Sequence, residues 1–85
     1  MGSRTGREEV FAVLKEQLLA VLPDLDPASV VPSASMRSLG ADSMDRMDVV
    51  VGTVEALGID AALHRFGDAA NLGELTELIL EAVPA

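Results

Sequence analysis

Apolar residues recurring at spacings of three and four mark three segments of the chain as amphipathic helices. Phe11, Leu14, Leu18 and Val21 make the first stripe. Ahead of it, Thr5-Gly6-Arg7-Glu8 fits a capping box, and Glu8 and Glu9 suit the electropositive first turn. Pro23 stops that helix, because proline has no amide to give to the ladder. A second helix is expected from Ser43 to Leu57, with Met47, Val50, Val54 and Leu57 facing inward and Gly58 ending it. The last opens at Asn71-Leu72-Gly73-Glu74, another cap-like spacing, and buries Leu72, Leu75, Leu78 and Ile79.

The segments between the helices are unlike one another. Residues 23 to 41 carry Pro23, Pro27 and Pro32 among Ser, Ala and Asp, which rules out a continuous helix. Leu25, Val30, Val31, Met36 and Leu39 supply apolar anchors that a free tether lacks, so this is a long ordered loop. In residues 59 to 70, Ile59, Leu63 and Phe66 suggest one short helix that closes the core. The expected fold is all-α: a small four-helix bundle, three main helices plus one short, with a long loop between helices 1 and 2 and no strands. Residues 6–84 form the domain, and residues 1–5 read as a disordered N-terminus or tag remnant.

Composition narrows the chemistry. Eighty-five residues make one small domain, and with no cysteine there is neither a disulfide framework nor a thiolate metal site. His64 is the sole histidine, and it reads as a surface or helix-end residue rather than a ligand. Asp42, Asp45 and Asp48 lack the glycine turn and ligand rhythm of a calcium loop, so no metal is expected. Two Phe, no Trp and no Tyr argue against base-stacking modules.

A net charge of −8, from 14 acidic and 6 basic residues, would repel nucleic acid and anionic membranes. It favours partners with basic patches. No apolar run approaches a membrane span and the N-terminal residues have no signal-peptide core, so a cytoplasmic monomer is expected.

The candidate chemistry lies at Leu39-Gly40-Ala41-Asp42-Ser43-Met44-Asp45-Arg46-Met47-Asp48. If Ser43 capped the second helix, its oxygen would be tied up and Arg46 would sit unfavourably in the positive first turn. With Asp42 as the cap, Asp45 falls three residues on, and Ser43 becomes the first helical residue with a free hydroxyl. No general base, metal set or triad accompanies that serine, so it is placed to be modified rather than to catalyse. Beyond it, Asp42, Asp45, Asp48 and Glu55 recur at helical spacing, with Gly52 in the missing step. Met44 stands off the buried stripe, a soft apolar group beside an acidic ridge.

These residues carry a family resemblance. Leu39-Gly40-Ala41-Asp42-Ser43-Met44, followed by an acid-studded helix, resembles the prosthetic-group site of acyl carrier proteins. The helix layout, the long loop and the ending from Phe66 through Asn71-Leu72-Gly73-Glu74-Leu75 resemble them too. The resemblance implies that Ser43 receives 4′-phosphopantetheine from coenzyme A through a phosphopantetheinyl transferase, with Asp42 the cap beside it. The arm's thiol would then carry acyl thioesters, and Met44, Asp45, Arg46, Asp48 and Glu55 would dock partners. Methionine after the serine, and the interruptions at Arg46 and Gly52, look more like discrete carriers of bacterial polyketide synthases. The chain is similar in particular to donors in β-branching cassettes. Acyltransferase, ketosynthase or hydroxymethylglutaryl-synthase-like enzymes with basic patches would be its partners. Two alternatives are an acidic helical interaction module without a prosthetic group, and a carrier of the same fold for fatty-acid or aminoacyl transfer.

Overall fold

Three α-helices form the frame of the structure: α1 (Arg7–Val21), α2 (Ser43–Leu57) and α3 (Leu72–Glu81). The computed structural model describes residues 6–60, 63–67 and 69–83, with the side chains of His64 and Arg65 excepted. No strand occurs among the described residues.

In α1 the inward line is Val10, Leu14 and Leu18, all fully buried. Leu14 and Leu18 are where the stripe was expected, but Val10 takes the place of Phe11: Phe11 and Val21 are only partly buried and flank the core. The reason is that α1 packs against both α2 and α3. Val10, Leu14 and Leu18 form a single i, i+4, i+8 row that can face the groove between those two helices. Thr5 lies outside the described residues; the cap position is held by Gly6, which offers no side chain to the amides.

Helix α2 has the bounds expected from its sequence signals, but its inward face is rotated. Val49, Val50, Thr53 and Val54 are buried, whereas Met47 is 53% exposed and Leu57 only half-buried. Thr53 can sit in the core because its hydroxyl donates to the Val49 carbonyl at 2.7 Å. Thr76 does the same in α3 through the Leu72 carbonyl, also at 2.7 Å, beside buried Leu72, Leu75 and Ile79. Leu78 is shifted to the flank.

Gly58 ends α2 at φ +68. Its amide donates to Glu55 O and that of Ile59 to Val54 O, and buried Ile59 and Val54 meet in the core. This is a Schellman ending, which needs a left-handed residue and so a glycine.

The long loop is ordered by its own bonds. Asp26 caps a 3-10 turn, Pro27–Ser29, by accepting from the Ala28 amide at 3.0 Å. Val30 is buried and Leu25, Met36 and Leu39 partly so, but Val31 is 41% exposed and is not an anchor. Further on, the loop is pinned to the start of α3. The Leu72 amide donates to Ala34 O and the Gly73 amide to Pro32 O, each at 2.8 Å. A 3-10 turn, Leu63–Phe66, stands where the short fourth helix was expected, and its buried Phe66 joins the core. The reading of His64 as a surface residue concerns a side chain outside the described set. Arg7 and Glu77 pair across α1 and α3, and the hydrogen bond holds the Glu77 carboxyl below its usual range. Both groups are exposed, so solvent screens the pair and it adds little.

Candidate functional site

A tight turn delivers the chain to the start of α2. Ser35 and Ser38 bond each other's backbone, with the Ser38 amide donating to Ser35 Oγ at 2.9 Å and the Ser38 hydroxyl to Ser35 O at 2.8 Å. The Gly40 amide donates to Arg37 O and the Ala41 amide to Met36 O. Gly40 makes that closure possible at φ +98, where a Cβ is strained. Ala41 is then buried, so the chain is anchored one residue before the helix cap.

Asp42 is that cap. Its Oδ1 accepts from the Asp45 amide at 2.8 Å, and Asp45 Oδ2 accepts from the Asp42 amide at 3.2 Å. The bonds are reciprocal, a capping box closed by two carboxylates that also suit the helix dipole. Replacing Asp42 by alanine is expected to cost about 0.5–2 kcal/mol, the usual loss for a cap. Chemical denaturation checks this, and an unchanged midpoint would mean that the cap bears no load.

Ser43 follows as the first residue of α2. It is exposed, and among the described residues its hydroxyl makes no hydrogen bond. The amides of Ser43 and Met44 are helix-start donors without an intrahelical acceptor. Next to the serine opens a cleft of about 390 Å³, bounded by α2, the 63–66 turn, α3 and the 35–37 stretch of the loop. Ser43 lies on its lining, and Met47, Val50, Phe66 and Leu75 form apolar wall. A cleft of that size falls within the range that takes small ligands.

The residues singled out from sequence divide into two groups. Arg46 lines the cleft with Ser43, as does Met47, which was expected in the core. Met44, at 77% exposure, and the exposed Asp48 and Glu55 lie outside the cleft along the outer side of α2. Asp45 belongs to that outer ridge by spacing, but it is half-buried and committed to the cap. At Gly52, the gap in the ridge, the end of the Gln17 side chain from α1 occupies the space where a Cβ would stand, so a larger residue there would have to displace it. Sequence reading missed Arg37 altogether. It sits in the irregular loop, where no periodicity assigns a direction to its side chain.

Among the described residues there is no cluster of three or more metal-ligating side chains. Nor is any described helix long and apolar enough to cross a membrane.

Comparison with known proteins bears on this site. The family model for a phosphopantetheine attachment site matches residues 12–79. A polyketide biosynthesis acyl-carrier-protein, AcpK of Bacillus subtilis (strain 168), is 31% identical over 77 residues, covering 91% of this chain and 94% of that protein. The acyl carrier protein of Helicobacter pylori (strain G27) is 30% identical over 73 residues, with 85% and 87% covered. Chloroplastic acyl carrier protein 5 of Arabidopsis thaliana is 34% identical over 76 residues, and the match spans 52% of its length. Among solved structures, a chain from the crystal structure of the curacin biosynthetic pathway HMG synthase in complex with an acetyl donor carrier superposes with a TM-score of 0.85. That likeness comes at 26% identity and covers 91% of this chain and 99% of the other.

Proposed function

Because the chain belongs to the acyl carrier proteins with a phosphopantetheine attachment site, we propose that Ser43 is the residue to which the 4′-phosphopantetheine is joined. A carrier of this kind moves acyl groups and does not catalyse. The single observation behind the assignment to Ser43 is its exposed, uncommitted hydroxyl at the first position of α2, on the lining of an open cleft.

The site fits the group. Helix-start amides and the positive end of the helix dipole suit a phosphodiester, and the cleft gives the arm an apolar wall to lie against. When bound, the arm supplies the thiol that this cysteine-free chain lacks. Attachment is a displacement at phosphorus carried out by the transferase. Ser43 Oγ bonds to the pantetheine-side phosphorus of coenzyme A, the bond to the bridging oxygen breaks, and 3′,5′-adenosine bisphosphate leaves. The transferase takes the hydroxyl proton. Intact mass after incubation with coenzyme A, Mg²⁺ and a broad-specificity transferase tests this. One phosphopantetheine should be gained, and no gain on folded protein would leave the acidic interaction module as the reading.

The likeness to a polyketide carrier and to an acetyl donor bound to an HMG synthase supports a finer assignment. In it the arm delivers a short acyl group to a hydroxymethylglutaryl-synthase-like enzyme, alongside acyltransferase or ketosynthase partners. The outer ridge of α2 is the docking face, with Met44 a soft contact at its N-terminal end and the carboxylates of Asp48 and Glu55 further along it. Reversing both charges, D48K with E55K, is expected to slow acetyl transfer to such an enzyme about tenfold or more at low salt. That effect should fade as salt rises. Both residues are exposed and bear no cap, so stability should move by less than about 0.5 kcal/mol. An unchanged transfer rate at low salt would move the docking face elsewhere. Asp45 is the wrong residue for this experiment, since its loss also opens the capping box.

A further inference from the structure

In a chain of net charge −8, the charged residues lining the Ser43 cleft are, among the described residues, two arginines and no carboxylate. Arg37 comes from the turn that ends at Gly40, and Arg46 from α2, three residues after Ser43 and on its face of the helix. We infer that Arg37 and Arg46 form a clasp for the phosphodiester at Ser43, fixing the root of the arm so that it runs along the cleft. The inference rests on Ser43 as the attachment point.

Charge placement favours the clasp. The ion pair found among the described residues uses Arg7, and neither Arg37 nor Arg46 pairs with a described carboxylate. Arg46 is flanked by Asp42 and Asp45, yet an oxygen of each carboxylate accepts a backbone amide in the capping box. Neither carboxylate lines the cleft. A cation near a helix N-terminus is itself unfavourable, because the aligned peptide dipoles are positive there. Such local conflicts in an otherwise consistent sequence mark functional positions, and an anion on Ser43 resolves this one.

Arginine suits the task. Its planar fork of donors matches the oxygens of a phosphate and stays charged at any working pH. Two such forks from different elements, with the Ser43 and Met44 amides, would surround a phosphodiester on one side. Beyond it, Met47, Val50, Phe66 and Leu75 offer an apolar wall to the arm's dimethyl segment. Without the two arginines only the helix-start amides would oppose the acidic ridge, and the arm would be held less firmly.

The test compares the parent chain with the double variant R37Q/R46Q, both converted to the phosphopantetheinylated form and verified by mass. Circular dichroism melting confirms that the variant, altered only at exposed positions, is folded. Phosphorus-31 NMR then reads the phosphodiester directly, and the Nε–Hε signals of Arg37 and Arg46 read the clasp. In the parent, conversion should shift both arginine signals, and the phosphorus resonance should be broadened and salt-dependent. In the variant the resonance should narrow and lose its salt dependence. Identical phosphorus spectra in the two proteins, or arginine signals that ignore conversion, would overturn the clasp while leaving attachment at Ser43 intact. A parent that gains no mass would overturn the attachment reading and the clasp with it. Loading acetyl and malonyl cargo in parallel separates the sources of negative charge. Arginine shifts present in the acetyl form support the phosphodiester; shifts confined to the malonyl form would assign the arginines to the cargo carboxylate and overturn the proposal.

Discussion

Ser43→Ala is expected to remove arm attachment completely and to leave the fold where it was. The two halves of that expectation have separate causes. Attachment needs an oxygen at this position, and alanine has none. Stability needs the cap of α2, but the cap is Asp42, whose Oδ1 holds the Asp45 amide at 2.8 Å without help from the serine. Removing an exposed hydroxyl that bonds nothing should change stability by less than about 0.5 kcal/mol, as for surface substitutions generally. Alanine is also the better helix former at the first position of a helix.

The other described hydroxyls make the variant specific. Ser35 and Ser38 are locked to one another, and Ser29 donates to Asp26 O. Thr53 and Thr76 are buried and bonded to their own helices. Ser33 resembles Ser43 in being exposed with no hydrogen bond among the described residues, but it stands in the loop rather than at the first position of a helix, and off the cleft lining. Ser33→Ala should therefore retain the full mass gain. Mass gain persisting in Ser43→Ala would refute the site, and a melted Ser43→Ala would refute the capping geometry.

Where the chain was legible, a local signal and a tertiary demand agreed. The bounds of α2 follow from Asp42 with Asp45 three residues on and from Gly58, because caps and left-handed glycines act within a few residues. The start of α3 at Asn71 is the same case, with the Glu74 amide bonded to Asn71 Oδ1 at 2.8 Å. Faces were less legible than ends. Apolar spacing counted Met47 inward and passed over Thr53, yet a threonine that satisfies its own hydroxyl on the i−4 carbonyl can take a core position. Phe11 displaced Val10 for a related reason: the larger side chain looks more deeply buried, but geometry gives the centre to the Val10-Leu14-Leu18 row.

Of the site, the serine and its cap were readable and the cleft was not. The cleft exists because Ala34 and Pro32 pin the loop to the amides of Leu72 and Gly73, which brings residues 35–37 opposite α2. That closure is long-range, and neither periodicity nor turn chemistry announces it. Arg37 is invisible at the sequence level for the same reason. The 3-10 turn at Pro27–Ser29 is different. Asp26 before Pro27 was a usable cap-and-proline signal, too short to be separated from an ordinary loop.

Leu14→Ala is expected to be the most damaging of the substitutions considered. Leu14 is fully exposed to neither solvent nor cleft: it is wholly buried at the middle of α1, the helix that touches both α2 and α3. Truncating a buried leucine removes its transfer free energy and leaves a void, about 2–5 kcal/mol together. A chain of 85 residues has roughly 4–13 kcal/mol of stability in all, so the loss is a large share of it. At about 4–8 °C per kcal/mol for domains of this size, the melting temperature should fall by roughly 8–40 °C. No disulfide is present to hold the helices once the core loosens. Leu14→Met, which keeps the volume, should cost less than about 1.5 kcal/mol. Thermal melting of both variants decides the matter. A shift of only a degree or two for Leu14→Ala would place the centre of the core elsewhere. Attachment should follow the folded fraction: Ser43 needs the turn at Gly40, the Asp42 cap and α2 intact for the transferase to find it. Leu14→Ala should therefore still gain the arm at temperatures below its transition and lose that capacity through it, whereas Ser43→Ala fails at every temperature.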